Sequence, residues 1–131
     1  MAEFPESLRF LATHEWARLD DDGLVTVGIS DHAQEELGDV VFVEMPEMDA
    51  EVTLRQEAAV VESVKAASDI FAPVSGTVVA INEDLEDAPE TVNDSPYDAG
   101  WFFKISPSDT DELSTLLTAA EYRQVCEDEA H

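Results

Sequence analysis

Ala58-Ala59-Val60-Val61-Glu62-Ser63-Val64-Lys65-Ala66-Ala67-Ser68-Asp69-Ile70-Phe71-Ala72-Pro73-Val74-Ser75-Gly76 decides the fold. Ala58 to Ser63 reads as a strand, Val64-Lys65 fall at a tight turn, and Ala66 to Ala72 return as the partner strand. Pro73-x-x-Gly76 then sets one fixed φ and one permissive φ, the chemistry of a second turn. The segment predicts a β-hairpin with a lysine at its tip. That lysine stands out, because the chain holds 31 Asp and Glu against 6 Lys and Arg, and Lys104 is the only other lysine. On spacing alone two readings stay open: a solvated turn lysine, or a lysine kept for covalent attachment.

Working outward, residues 1–12 read as an extended arm leading into Thr13-His14-Glu15-Trp16, with Trp16 expected in the core. Asp20-Asp21-Asp22-Gly23 signals a turn before a strand from Leu24 to Ile29. Ser30 or Asp31 caps a short helix to Leu37, and Gly38 ends it. Asp39 to Met45 reads as a strand apolar on both faces, and Glu51 to Leu54 and Thr77 to Ile81 as further strands. The acidic stretch 82–100 is a long loop with room for a helical turn, and Trp101 to Ile105 is the last strand. Ser108 caps one C-terminal helix, and Thr118-Ala119-Ala120-Glu121 is a capping box for another. Leu113, Leu116, Leu117, Tyr122 and Val125 are expected to pack these helices on the sheet. The expectation is one mainly β domain over residues 1–131.

At 131 residues with 44% apolar content, one core is expected, burying roughly two-thirds of the unfolded surface. A net charge of −25 argues against nucleic acid and anionic membranes, since phosphates would be repelled. Basic patches on partner proteins are the electrostatic counterpart. The single cysteine, Cys126, suits a reducing compartment, and its neighbours Glu127, Asp128 and Glu129 disfavour the thiolate. Met1 to Phe10 lacks a signal-peptide pattern, and no segment reaches the ~18 apolar residues of a membrane helix, so a cytoplasmic protein is expected.

Self-sufficient catalysis finds no support. His14, His32 and His131 are dispersed along the chain, so no metal site is expected. The acidic runs lack the alternation of a calcium loop, no glycine-rich phosphate loop occurs, and no serine lies in a Gly-flanked elbow.

Gly28-Ile29-Ser30-Asp31-His32-Ala33-Gln34-Glu35-Glu36-Leu37-Gly38-Asp39 and Val41-Phe42-Val43-Glu44-Met45-Pro46 carry a resemblance. So do Val61-Glu62-Ser63-Val64-Lys65-Ala66-Ala67-Ser68-Asp69, Ala72-Pro73-Val74-Ser75-Gly76, Asn93-Asp94-Ser95-Pro96-Tyr97 and Gly100-Trp101. From about Leu8 to Tyr122 the chain resembles the glycine cleavage system H proteins, which are lipoyl carriers. The resemblance implies a barrel-sandwich hybrid of two small facing sheets with flanking helices, and a lipoyl group in amide linkage to Lys65. Biotin carriers place the lysine between methionines, whereas Val64 and Ala66 flank Lys65.

The resemblance further implies a non-enzymatic, monomeric carrier serving several partners. A pyridoxal-phosphate glycine decarboxylase loads the aminomethyl group of glycine. A tetrahydrofolate-dependent aminomethyltransferase unloads it, a dihydrolipoyl dehydrogenase reoxidises the arm, and a lipoate-attaching enzyme supplies it. By motif position, Thr13, Glu15 and Asp69 form an aminomethyl pocket, with Thr13 standing where a serine is expected. Carboxylates suit a protonated amine through charge-assisted hydrogen bonds. Glu62 and Ser63 are read either as recognition residues for the lipoate-attaching enzyme or as a solvated strand end. His14 and His32 are expected as structural or interface residues. The rival reading is an H-like relay that donates lipoyl groups to 2-oxoacid dehydrogenase complexes, though a pure relay has no use for Glu15 and Asp69.

An acid excess this large repels itself, and the composition predicts a salt-rich cytoplasm. Screening lengths shrink from about 30 Å at 0.01 M salt to about 3 Å at 1 M. The melting temperature should therefore rise as KCl is added in a calorimetric series, and a flat response would refute the adaptation.

Overall fold

A computed structural model describes residues 5–129 of the chain. The first four residues of the expected arm, and His131, lie outside the described residues. The strands are β1 (Arg9–Phe10), β2 (Glu15–Leu19), β3 (Val25–Ile29), β4 (Val40–Glu44), β5 (Glu51–Val52), β6 (Glu57–Ser63), β7 (Ala67–Phe71), β8 (Gly76–Ile81) and β9 (Phe103–Pro107). The helices are α1 (Asp31–Leu37), α2 (Asp84–Asp87), α3 (Thr91–Asp94) and α4 (Ala119–Glu129), with a 3-10 helix at Thr110–Thr115. One antiparallel sheet runs β1-β2-β3-β9-β8-β5 and the other β4-β6-β7. The mainly β architecture of two facing sheets with appended helices is the one expected, and neither sheet closes into a barrel.

Period-2 alternation builds the core between the sheets. In β3, Val25, Val27 and Ile29 enter it together with Val43 and Val61 of the smaller sheet and Val78 and Ile105 of the larger one. The other face of β3 is also covered, because Gly28 lies opposite Trp16 in the β2–β3 register and Thr26 donates to Asp20 Oδ2. A second, smaller core of Leu8, Phe10, Trp16, Ala119, Tyr122 and Cys126 docks α4. Phe10 and Tyr122 stack there at 4.4 Å between ring centroids.

Several boundaries differ from expectation for local reasons. The arm contains a strand, β1, held by β2. A bulge between Val40 and Phe42 turns both Val41 and Phe42 outward, so β4 buries only Val40 and Val43. The last strand starts at Phe103 rather than Trp101, because the Asn82 amide donates to the carbonyls of Ala99 and Trp101. Asp109, not Ser108, caps the 3-10 helix, while Ser108 donates to Ser75 O. In α4 the capping box forms as read, with Thr118 N–H on Glu121 Oε1 at 2.9 Å and Glu121 N–H on Thr118 Oγ1 at 3.2 Å. Cys126, rather than Val125, is the buried residue of its last turns. The stretch 82–100 forms two one-turn helices that bury Leu85 and Val92.

Gly28 tests the packing against Trp16. A Cβ there would stand 2.7 Å from the indole of Trp16, which is fully buried and hydrogen-bonded through Nε1 to Pro96 O. Gly28→Ala should cost about 1–3 kcal/mol through overpacking. It should appear as a lower urea midpoint with an unchanged slope, and an unshifted midpoint would show that the indole can move aside.

Candidate functional site

The β6–β7 hairpin ends in a tip fixed by one hydroxyl. Ser63 Oγ accepts from the backbone N–H groups of Lys65 and Ala66, both at 3.1 Å, and donates to Ala66 O at 3.2 Å. Ser63 N–H closes the turn on Ala66 O at 2.8 Å. The Ser63 hydroxyl, read from sequence either as a recognition group or as part of a solvated strand end, is thus engaged within the turn, next to a half-buried Glu62. Val64, Lys65 and Ala66 are exposed, and no ion pair found among the described residues involves Lys65. The lysine stem lies over Gly38, where an added Cβ would be 3.4 Å from Lys65 Cε.

The tip rests on a support that sequence reading missed. Val64 N–H donates to Asp39 O at 3.1 Å, joining the tip to the segment after α1. Asn93 holds that segment from below, accepting from Val40 N–H at 2.9 Å and donating to Gly38 O at 2.8 Å. Its amide also donates to Gln34 Oε1 at 3.0 Å, while Tyr97 OH accepts from Asp31 N–H at 2.9 Å. The acidic stretch that reads as a long loop is therefore the brace for α1 and for the lysine tip. Asn93 and Tyr97 stand in the quoted motif, but the sequence gives no signal that they face α1.

Beside the tip, a cleft of 180 Å³ separates the larger sheet from β7 and α1. Thr13, Glu15 and Asp69 all line it, together with His14, Glu36 and Leu37. Three consecutive side chains reach the same cleft because His14 has φ +86, in the left-handed region, which breaks the alternation of an extended chain. Asp69 is exposed at the lip, which it shares with a second depression bordered by Glu44 and Met45.

Glu15 differs in kind from a surface acid. It is 1% exposed, accepts from Phe71 N–H through Oε2 at 2.8 Å, and accepts from Thr13 Oγ1 through Oε1. Burial penalises the charged form and pushes its pKa from 4.5 to about 7, although the Thr13 and Phe71 hydrogen bonds oppose the shift. The carboxyl is poised to change protonation near neutrality and to ionise when a cation enters beside it.

Behind the cleft, His14 Nδ1 lies 2.6 Å from Tyr122 OH, which in turn is 2.6 Å from Ser30 Oγ. Desolvation holds the His14 pKa below its ordinary value, against the pull of Glu129. His14 and His32, far apart in sequence, come together with ring centroids 5.1 Å apart.

Fold and site together define an open two-sheet protein that displays one lysine from a braced hairpin tip beside a carboxylate-lined cleft. The chain belongs to the glycine cleavage H-protein family, whose model matches residues 8–129. It is 61% identical over 127 residues to the glycine cleavage system H protein of Saccharophagus degradans, covering 97% of this chain and 98% of that one. Its identity to the protein of the same description from Teredinibacter turnerae is 58% over 130 residues, covering 99% and 100%. Among solved structures, it matches a crystal structure of a glycine cleavage system H protein from Mycobacterium marinum. That match has a TM-score of 0.84 at 39% identity, covering 92% of this chain and 96% of the other.

The titration of Glu15 has a thermodynamic signature. The folded state keeps a proton that the unfolded state releases above pH 4.5, so the protonated carboxyl stabilises fully below 4.5. That contribution declines from 4.5 to 7 and is gone above about 7. Glu15→Gln keeps a neutral side chain at every pH. The stability of wild type minus that of Glu15→Gln should fall by about 3 kcal/mol across this window. Parallel pH–stability curves from chemical denaturation would show that Glu15 stays ionised.

Proposed function

We propose that Lys65 carries a lipoyl group in amide linkage and that the chain is the carrier component of glycine cleavage. The observation that supports this most is the exposed Lys65 at a tip braced by Ser63, Asp39 and Asn93, its stem over Gly38, the residue that follows Leu37 of the cleft Glu15 also lines. When bound, the lipoyl group supplies a disulfide that takes up the aminomethyl unit of glycine and is later restored by oxidation. The residues present fit such a group. The Lys65 amine is open to a modifying enzyme, its small neighbour Ala66 leaves room, and its stem already lies along Gly38, next in the chain to Leu37 of the cleft.

The chain's own contribution is placement and shelter. Ser63 and the Asp39 carbonyl hold the backbone of the tip still, so the freedom of the arm resides in the lysine stem alone. A tether of this kind raises the local concentration of its cargo at each partner site. A protonated amine entering the cleft would meet the Thr13 hydroxyl, Asp69 at the lip and Glu15 at the floor. Its charge stabilises the Glu15 carboxylate, so entry releases a proton from Glu15 near neutral pH. Retreat of the amine from water slows hydrolytic loss of the cargo.

The partners in this reading are a glycine decarboxylase, an aminomethyltransferase, a dihydrolipoyl dehydrogenase and a lipoate-attaching enzyme. They would meet a surface of net charge −25 with basic patches of their own. Residues 1–131 act as one carrier domain and perform no catalysis alone. No helix among the described residues is long and apolar enough to cross a membrane.

The proposal is tested by incubating the protein with a lipoate-attaching enzyme, lipoate and ATP, then mapping peptides by mass. Wild type should gain a lipoyl amide on Lys65, and Lys65→Arg should stay unmodified with its fold intact. In the lipoylated protein loaded with the aminomethyl group, Glu15→Ala and Asp69→Ala should each speed loss of the cargo about tenfold, as befits one charge-assisted contact. Modification at Lys104 would sink the assignment, and unchanged lifetimes in both variants would remove the cleft's role.

A further inference from the structure

The cluster behind the cleft has a feature that the carrier role does not use. His32 Nε2 is buried and is the one buried side-chain polar atom among the described residues without a hydrogen-bond partner. Glu36 Oε1 nevertheless stands 2.7 Å from it and Glu129 Oε1 3.8 Å from it. Two acceptors therefore face one ring nitrogen, at positions that an N–H on the ring axis does not satisfy. A shared cation resolves that arrangement.

We propose that His32, Glu36 and Glu129 form a binding site for a divalent transition metal, joining α1 to the end of α4. The donor atoms of these three residues lie within 4.8 Å of one another. Bonds of about 2.0–2.2 Å to a shared ion give donor–donor separations of roughly 3–3.5 Å, so small side-chain adjustments suffice. One imidazole with two carboxylates suits zinc, cobalt or nickel, whereas calcium and magnesium prefer oxygen ligands alone.

The surroundings complete the site. Tyr122 OH lies 2.6 Å from His14 Nδ1, and the opposite ring nitrogen of His14, Nε2, faces Glu129 Oε1 at 3.2 Å. His14 thereby orients the carboxylate, as outer-shell partners of metal ligands do. Cys126 also lies within 4.8 Å of His14 and His32. The orphaned Nε2 of His32 faces the two carboxylates, however, so the thiol is not assigned as a ligand. Glu36 and His14 line the cleft as well, so a bound ion would fix one of its walls. The site does not depend on Lys65 being modified.

The decisive experiment titrates Co²⁺ and Zn²⁺ into the full-length protein, with excess Mg²⁺ present to occupy the acidic surface. The readouts are calorimetry, the visible spectrum of bound Co²⁺ and the Zn²⁺-induced shift in melting temperature. Wild type should bind one equivalent, and His32→Ala and Glu129→Gln should each weaken binding at least tenfold. Glu129 is well exposed at the end of α4, so its variant tests the site even if His32→Ala is poorly folded. Asp21→Asn with Asp22→Asn, on the exposed β2–β3 turn, should leave binding unchanged. Displacement by Mg²⁺, or binding indifferent to Glu129→Gln, would mean diffuse association with the acidic surface and overturn the site. Binding lost in Cys126→Ser but kept in Glu36→Gln would overturn this ligand set.

Discussion

The bond from Phe71 N–H to the buried Glu15 carboxyl organises this molecule. Glu15 opens β2 of the larger sheet, and Phe71 closes β7 of the smaller one. The contact therefore ties the two sheets together at the end where the cleft opens. An apolar residue in that place would leave a strand-end donor unpaired inside the protein, at a cost of about 1–3 kcal/mol. A carboxyl satisfies the donor but resists ionising there, which is why its pKa moves up to about 7. The same desolvation that makes Glu15 a costly residue to bury makes it responsive to an arriving positive charge.

A second constraint acts on the tip. An exposed lysine side chain is free to move, whereas the backbone beneath this one is held. The structure separates the two by hydrogen bonds: Ser63 fixes the turn, Asp39 O holds Val64, and Asn93 fixes the segment at 38–40. The acidic stretch that supplies Asn93 is anchored in turn by the buried Leu85 and Val92. Apolar side chains hidden in an otherwise polar segment thus convert it from a loop into a brace.

Legibility from sequence tracked the range of the forces involved. The hairpin 58–72, the α1 boundaries at Ser30 and Gly38 and the capping box at Thr118 were readable, because each depends on residues within a few positions. The start of β9, the cap at Asp109 and the outward turn of Val41 and Phe42 were not, because distant groups decide them. Asn82 claims the carbonyls before β9, Ser75 claims Ser108, and a bulge against β6 shifts β4. Family motifs pointed to Thr13, Glu15 and Asp69 as neighbours, and all three line one cleft. Their unequal burial carried no signal in the motif.

By itself, the sequence determined the class of fold and the place of the lysine, since both follow from strand periodicity and turn chemistry that act locally. It also set the acidic surface, which is a matter of counting. Tertiary structure alone decided which acid is a buried, near-neutral carboxyl and which is a surface charge. It alone brought His14 beside His32 and set Glu36 and Glu129 around one ring nitrogen. The reason is physical: desolvation and orphaned polar atoms arise from what surrounds a group in space, and residues distant in the chain supply those surroundings only after it folds.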